Sequence, residues 1–174
     1  MLERFFPDHE AKSAYAIDYE ALYREGYRGI IFDIDNTLVM HGAAADVRAV
    51  GLFRSLRGMG FGLLLLSNNK EPRVRSFADR VGAEYIFKAG KPAAKGYLRA
   101  MAALATTQAD TLFVGDQLFT DIWGAKKAGI MTYLVEPIHP KEEIQIVLKR
   151  KLEKIVLYFY HKGSGRRKKG QKRH

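Results

Sequence analysis

The chain has 174 residues, 47% hydrophobic and 28% charged, ordinary proportions for a single globular domain with a substantial core. It contains no cysteine, which excludes disulfides, thiolate metal sites and thiol nucleophiles, and agrees with a reducing compartment. The net charge of +10 is unevenly placed: residues 141–174 hold 12 Lys/Arg against 3 Glu, a net of +9, and the preceding 140 residues are close to neutral.

The opening MLERFFPDHE lacks a basic region followed by an apolar core, so no signal peptide is expected. No run reaches the 18 or so apolar residues of a membrane span, and the expected location is the cytoplasm. A short helix follows, with Asp18 as N-cap, Tyr19, Leu22 and Tyr23 on one face, and Gly26 ending it. Residues 29–40, GIIFDIDNTLVM, open with Ile30, Ile31 and Phe32, the character of a strand buried on both faces. Asp33 and Asp35 close it. At a spacing of two on an extended segment they project to the same side, and burying them alone would be costly.

A helix is expected over 43–58, with Val47, Val50, Phe53 (or Leu52) and Leu56 inward. FGLLLL at 61–66 reads as a second buried strand, ending at Ser67-Asn68-Asn69. Pro72 starts a helix to residue 81, and 85–87 form a third strand before Lys88-Ala89-Gly90-Lys91-Pro92. A helix over 93–104 leads to a fourth strand at 111–114, ending in Gly115-Asp116. A helix over 121–128, closed by Gly129, precedes a fifth strand at 130–135. Strands alternating with helices of this length predict βαβ units: a three-layer α/β/α Rossmann-like fold with a five-stranded parallel sheet.

Asp33, Asp35, Ser67, Lys91 and Asp116 all fall at or just after strand ends, where open α/β sheets bind ligands. Taken singly, Ser67 reads as a helix cap, Lys91 as a solvated side chain and Asp116 as a turn residue. Together they read as a site. Asp33, Asp116 and Asp121, with no His or Cys beside them, suit Mg²⁺ rather than zinc. A lysine and a serine nearby provide what a phosphoryl group needs, a carboxylate can be the nucleophile, and a second carboxylate can protonate the leaving oxygen and later deprotonate water.

These residues resemble the haloacid dehalogenase (HAD) superfamily of phosphohydrolases. The likeness runs from about residue 26 to 135 and takes in the four motifs in order: Asp33-Ile34-Asp35-Asn36-Thr37, Ser67, Lys91, and Gly115-Asp116 with Asp121. The resemblance implies Asp33 as nucleophile and Mg²⁺ ligand, and Asp35 as general acid/base with its backbone carbonyl on the metal. It also implies Thr37 as an orienting hydroxyl, Ser67, Asn68 and Lys91 on the phosphoryl oxygens, Asp116 on the metal, and Asp121 on the metal directly, through water or through Lys91. An aspartate at 35 accompanies phosphatases in the superfamily. From Asp33 to Ser67 is 34 positions and from Ser67 to Lys91 is 24, too few in either case for a cap domain. The plan is similar to the capless subfamily IIIA phosphatases, closest to the branch related to phosphatidylglycerophosphate phosphatases.

The phosphatase domain is therefore expected over 1–140, a basic amphipathic helix over 141–162 and a disordered basic tail over 163–174. Ile144, Leu148, Leu152, Ile155 and Phe159 fall on one helical face, with Lys149, Arg150, Glu153 and Lys154 opposite. Such a helix either docks on the core or lies on an anionic membrane, and the six Lys/Arg among the last nine residues would favour the second. The expected substrate is phosphatidylglycerophosphate, with a soluble sugar phosphate or nucleotide as the alternative. The same basic charge also fits a catalytically silent scaffold that binds RNA or the ribosome.

Overall fold

The computed structural model describes residues 2–139 and 153–162. Its frame is a parallel sheet of six strands: β1 (His9–Ala11), β2 (Gly29–Phe32), β3 (Gly62–Leu66), β4 (Glu84–Ile86), β5 (Thr111–Gly115) and β6 (Met131–Val135), in the order β1-β6-β5-β2-β3-β4. The sequence pattern predicts five strands. The sixth, β1, is three partly exposed residues added at the sheet edge beside β6, too short and too polar to carry a strand signal.

The helices are α1 (Tyr19–Arg24), α2 (Val47–Met59), α3 (Glu71–Val81), α4 (Ala94–Ala103), α5 (Trp123–Lys127) and α6 (residues 153–162). The period of two along β2 divides the core. Ile30 and Phe32 join one apolar cluster with Phe53, Leu56, Val74 and Phe77 from α2 and α3. Ile31 points to the other face, with Tyr97, Ala100 and Met101 of α4 and Ala125 of α5. Each large side chain buried in this way contributes roughly 1.5–3 kcal/mol. Two helical layers thus clamp the sheet, and no inserted cap stands over the carboxyl ends of its strands among the described residues.

Local capping sets where the helices start. Asp18 accepts from the Ala21 amide at 2.9 Å, as predicted. Asp46 accepts from the Ala49 amide at 2.8 Å, so α2 begins at Val47 rather than at 43. Val47 is therefore 83% exposed on the first turn and not inward as its spacing implied.

The C-terminal helix departs further from its pattern. Residues 140–152 and 163–174 lie outside the described residues, and with them the first half of the predicted helix, Ile144, Leu148, Leu152, Lys149 and Arg150, and the basic tail. In α6, Ile155 and Phe159 of the predicted inner stripe are 55% and 47% exposed, and the charged Glu153 is buried. Val156 packs on Phe5, Leu118, Ile122 and Leu134, while Glu153 accepts from the Leu118 amide at 2.8 Å. The face of α6 that carries Glu153 and Val156 is thus the one against the core, and there Glu153 satisfies a backbone donor. Among the described residues no helix is long and apolar enough to cross a membrane.

Candidate active site

Parallel pairing of β2 with both β3 and β5 brings the carboxyl ends of three neighbouring strands together. Asp33 follows β2, Ser67 follows β3 and Asp116 follows β5, and all three are buried. Carboxylate oxygens of Asp33, Asp116 and Asp121 lie within 4.8 Å of one another. The Thr37 hydroxyl sits 3.2 Å from Asp33 Oδ2 and 3.3 Å from Asp116 Oδ1, tying the first motif to the fourth.

Lys91 enters from the loop after β4, beginning a cis Lys91–Pro92 peptide. Its Nζ donates to Asp33 Oδ1 at 2.6 Å and to Asp121 Oδ1 at 2.7 Å. Burial pushes the Asp33 carboxyl up, to about 6; Lys91 works against the rise, and the charges of Asp121 and Asp35 add to it. Burial alone would discharge Lys91, but Asp121 and Asp33 outweigh it and hold the ammonium above the usual lysine range. Three buried carboxylates around one ammonium leave an excess of negative charge. An all-oxygen donor set of this kind fits a hard divalent cation held by Asp33, Asp116 and Asp121.

The turn that presents Asp121 is a single π-helical turn, Leu118–Ile122, running into α5. The sequence pattern read it as the start of an ordinary helix. Its geometry is pinned from two sides. Asp121 Oδ2 accepts from the Gln117 amide at 3.1 Å, and the Tyr97 hydroxyl donates to the carbonyls of Thr120 at 2.9 Å and Asp121 at 3.1 Å. Gly115 permits the approach: a Cβ there would fall 2.7 Å from Asp121 Oδ2.

Asp35 faces a different environment. Its carboxylate accepts from Arg73 Nη2 at 2.9 Å, Asn69 Nδ2 at 2.7 Å and the Gly42 amide at 2.7 Å. Arg73 is a functional candidate the sequence reading missed; in the first turn of a polar helix, it carries no signal that it reaches back to a strand end. Asn68, expected on the phosphoryl group, has its side-chain amide engaged with the Lys91 backbone. Nδ2 donates to the carbonyl at 3.1 Å, and Oδ1 accepts from the amide at 2.8 Å. Ser67 Oγ accepts from the Asn69 amide at 3.1 Å, which still leaves its own proton to donate.

Residues 43–129 match the model of a family described as haloacid dehalogenase-like hydrolase. The chain is 35% identical over 159 residues to "Probable phosphatase YqeG" of Bacillus subtilis (strain 168), spanning 90% of this chain and 92% of that protein. It is 27% identical over 162 residues to "Phosphatidylglycerophosphate phosphatase 1, chloroplastic/mitochondrial" of Arabidopsis thaliana, spanning 87% of this chain but 47% of that longer protein. Among solved structures, an uncharacterized protein from Corynebacterium glutamicum superposes with a TM-score of 0.52 at 21% identity, covering 75% of this chain and 93% of that one. The cobalt-bound deoxy-D-mannose-octulosonate 8-phosphate phosphatase of Haemophilus influenzae gives 0.50 at 16% identity, covering 63% and 68%. At these identities the two structures share the fold.

Proposed function

The chain belongs to the haloacid dehalogenase-like hydrolases as a capless phosphatase, and from that premise we propose that it hydrolyses phosphomonoesters through an aspartyl-phosphate on Asp33 with Mg²⁺ as cofactor. The observation that carries the reading is the buried group of Asp33, Asp116 and Asp121 around Lys91 at the strand ends. Mg²⁺ held there would supply charge neutralisation to the phosphoryl oxygens.

The protein's own residues divide the remaining work. A carboxylate oxygen of Asp33 attacks phosphorus as the bond to the leaving oxygen breaks, and Asp35 gives that oxygen its proton. Water then attacks the phosphorus of the acyl phosphate, Asp35 takes back a proton, and the Asp33–phosphorus bond breaks to release inorganic phosphate. Ser67 Oγ donates to the transferring group. Lys91 neutralises it, and Asn68 orients Lys91 from behind through the loop backbone. Arg73 and Asn69 set the direction of the Asp35 carboxyl.

For the substrate we favour phosphatidylglycerophosphate. The support is likeness to a relative named for that reaction, together with the basic C-terminal segment, which suits the cytoplasmic face of an anionic membrane. The test is phosphate release from phosphatidylglycerophosphate in mixed micelles, with Mg²⁺ or EDTA and with Asp33→Asn as control. Release by the metal-loaded wild type alone is the expected result. Turnover of an aryl phosphate but not of the lipid would keep the phosphatase and replace its substrate by a soluble sugar phosphate or nucleotide.

A further inference from the structure

A cleft of about 590 Å³ lies beside the catalytic group, at the carboxyl ends of β1, β6 and β5 and under α6. Asp116 is part of its wall. Most of the remaining surface is apolar, from Ala11, Leu118, Leu134, Val135 and Leu157. The contacts that hold α6 over it include Glu153 to the Leu118 amide at 2.8 Å, His161 Nε2 to Glu10 Oε2 at 2.9 Å and the packing of Val156. Of the residues given a role in the reaction above, Asp116 alone borders this space.

We propose that this cleft is a leaving-group subsite, which receives the apolar portion of an amphiphilic phosphomonoester whose phosphate is held at Asp33. The proposal rests on the phosphatase reading and gives the apolar part of its substrate a place in the fold. Three features select an amphiphile. The volume lies within the usual range for small-molecule sites, and such sites are mostly apolar with a few polar groups. An apolar wall that starts at a carboxylate of the metal cluster puts an aliphatic chain and a phosphate at the two ends of one molecule. Leu134, Val135 and Leu157 offer the hydroxyls of a sugar phosphate or nucleotide no partner, and the polar side chains that share the wall, Glu10, Lys12, Glu136, Glu153, Lys154 and His161, contribute the smaller part of its surface. The outer face of α6 continues the same chemistry, with Ile155, Tyr158 and Phe159 exposed beside Lys154 and Lys162. A lipid still in its membrane and a dispersed amphiphile share this chemistry.

The test is kcat/KM along a series of n-alkyl phosphates from ethyl to decyl, kept below their aggregation limits, for the Mg²⁺-loaded full chain and for Leu157→Trp, which fills the cleft from α6. The wild type should gain roughly two- to fourfold per methylene over several carbons. Leu157→Trp should flatten that slope and leave ethyl phosphate turnover within about twofold. Binding of decyl phosphonate, by calorimetry, reads the cleft without turnover and separates this proposal from the phosphatase reading. It should weaken at least tenfold in Leu157→Trp even if no ester were hydrolysed. Should the tryptophan variant fail to fold, Leu157→Gln, which makes the wall polar, serves the same measurement. A flat wild-type series, or a slope and a phosphonate affinity unchanged in folded variants, would overturn the subsite. Where the slope holds, faster turnover of decyl phosphate in phosphatidylglycerol vesicles than as monomer assigns the membrane as the source, and the reverse assigns a dispersed amphiphile.

Discussion

Arg73 Nη2 donates to Asp35 Oδ1 at 2.9 Å, which links the first turn of α3 to the carboxyl proposed as the acid/base of the first motif. With Asn69 and the Gly42 amide it fixes which way that carboxyl faces. A proton donor matters most when the departing oxygen is a poor leaving group. Arg73→Ala is therefore expected to lower kcat roughly tenfold or more on alkyl phosphates and by less on p-nitrophenyl phosphate. Steady-state rates on the two substrates check this, and Arg73→Lys should recover part of the alkyl rate. Equal losses on both would make Arg73 a structural residue only.

Asp33 is expected to trade stability for reactivity. Its carboxyl titrates near 3.8 when unfolded and is raised to about 6 when folded, so the folded state holds the proton more tightly. The stability it contributes is fully present below about 3.8 and is lost as pH rises through about 6. Asp33→Asn leaves Lys91 its other partner, Asp121. In EDTA at pH 7.5 the variant should melt about 3–6 °C above the wild type, and the difference should shrink at pH 4.5. Thermal melts at the two pH values decide it.

A divalent cation should stabilise the fold by binding the folded state alone. Millimolar Mg²⁺ is expected to raise the wild-type melting temperature over that in EDTA. Asp116→Ala should abolish the rise, because Asp116 is one of three carboxylates that can close on the ion. An equal rise in the variant would place the ion elsewhere.

Tyr97, six residues after Lys91 and 24 before Asp121, holds the turn that carries Asp121. Tyr97→Phe keeps the packing and removes the one hydroxyl proton shared between the two backbone carbonyls, at a cost of about 1–2 kcal/mol. The Mg²⁺ concentration for half-maximal activity should rise several-fold. Unchanged metal affinity would show that the π-helical turn holds itself.

What the sequence made legible were residues whose role follows from local position. Asp33, Ser67 and Asp116 stand at the ends of apolar runs, and hydrogen bonding between adjacent parallel strands was enough to gather them. What stayed hidden depended on partners distant in the chain. Arg73 reaches back 38 residues to Asp35, Tyr97 forward 24 to Asp121, and Glu153 back 35 to Leu118. The last of these lies on the face of α6 that the apolar pattern put outward. β1 was illegible for a related reason, because the three residues His9-Glu10-Ala11 become a strand only when β6 is there to pair with them.

The central claim is that a phosphoryl group passes through Asp33. Rapid acid quench of the Mg²⁺-loaded enzyme with a ³²P-labelled phosphomonoester, followed by peptide mapping, tests it most directly. The expected result is a hydroxylamine-sensitive label on the peptide carrying Asp33, absent from Asp33→Asn, whose turnover falls roughly 10⁴-fold or more. Sustained phosphate release by Asp33→Asn, or a label mapped to any other residue, would contradict the account.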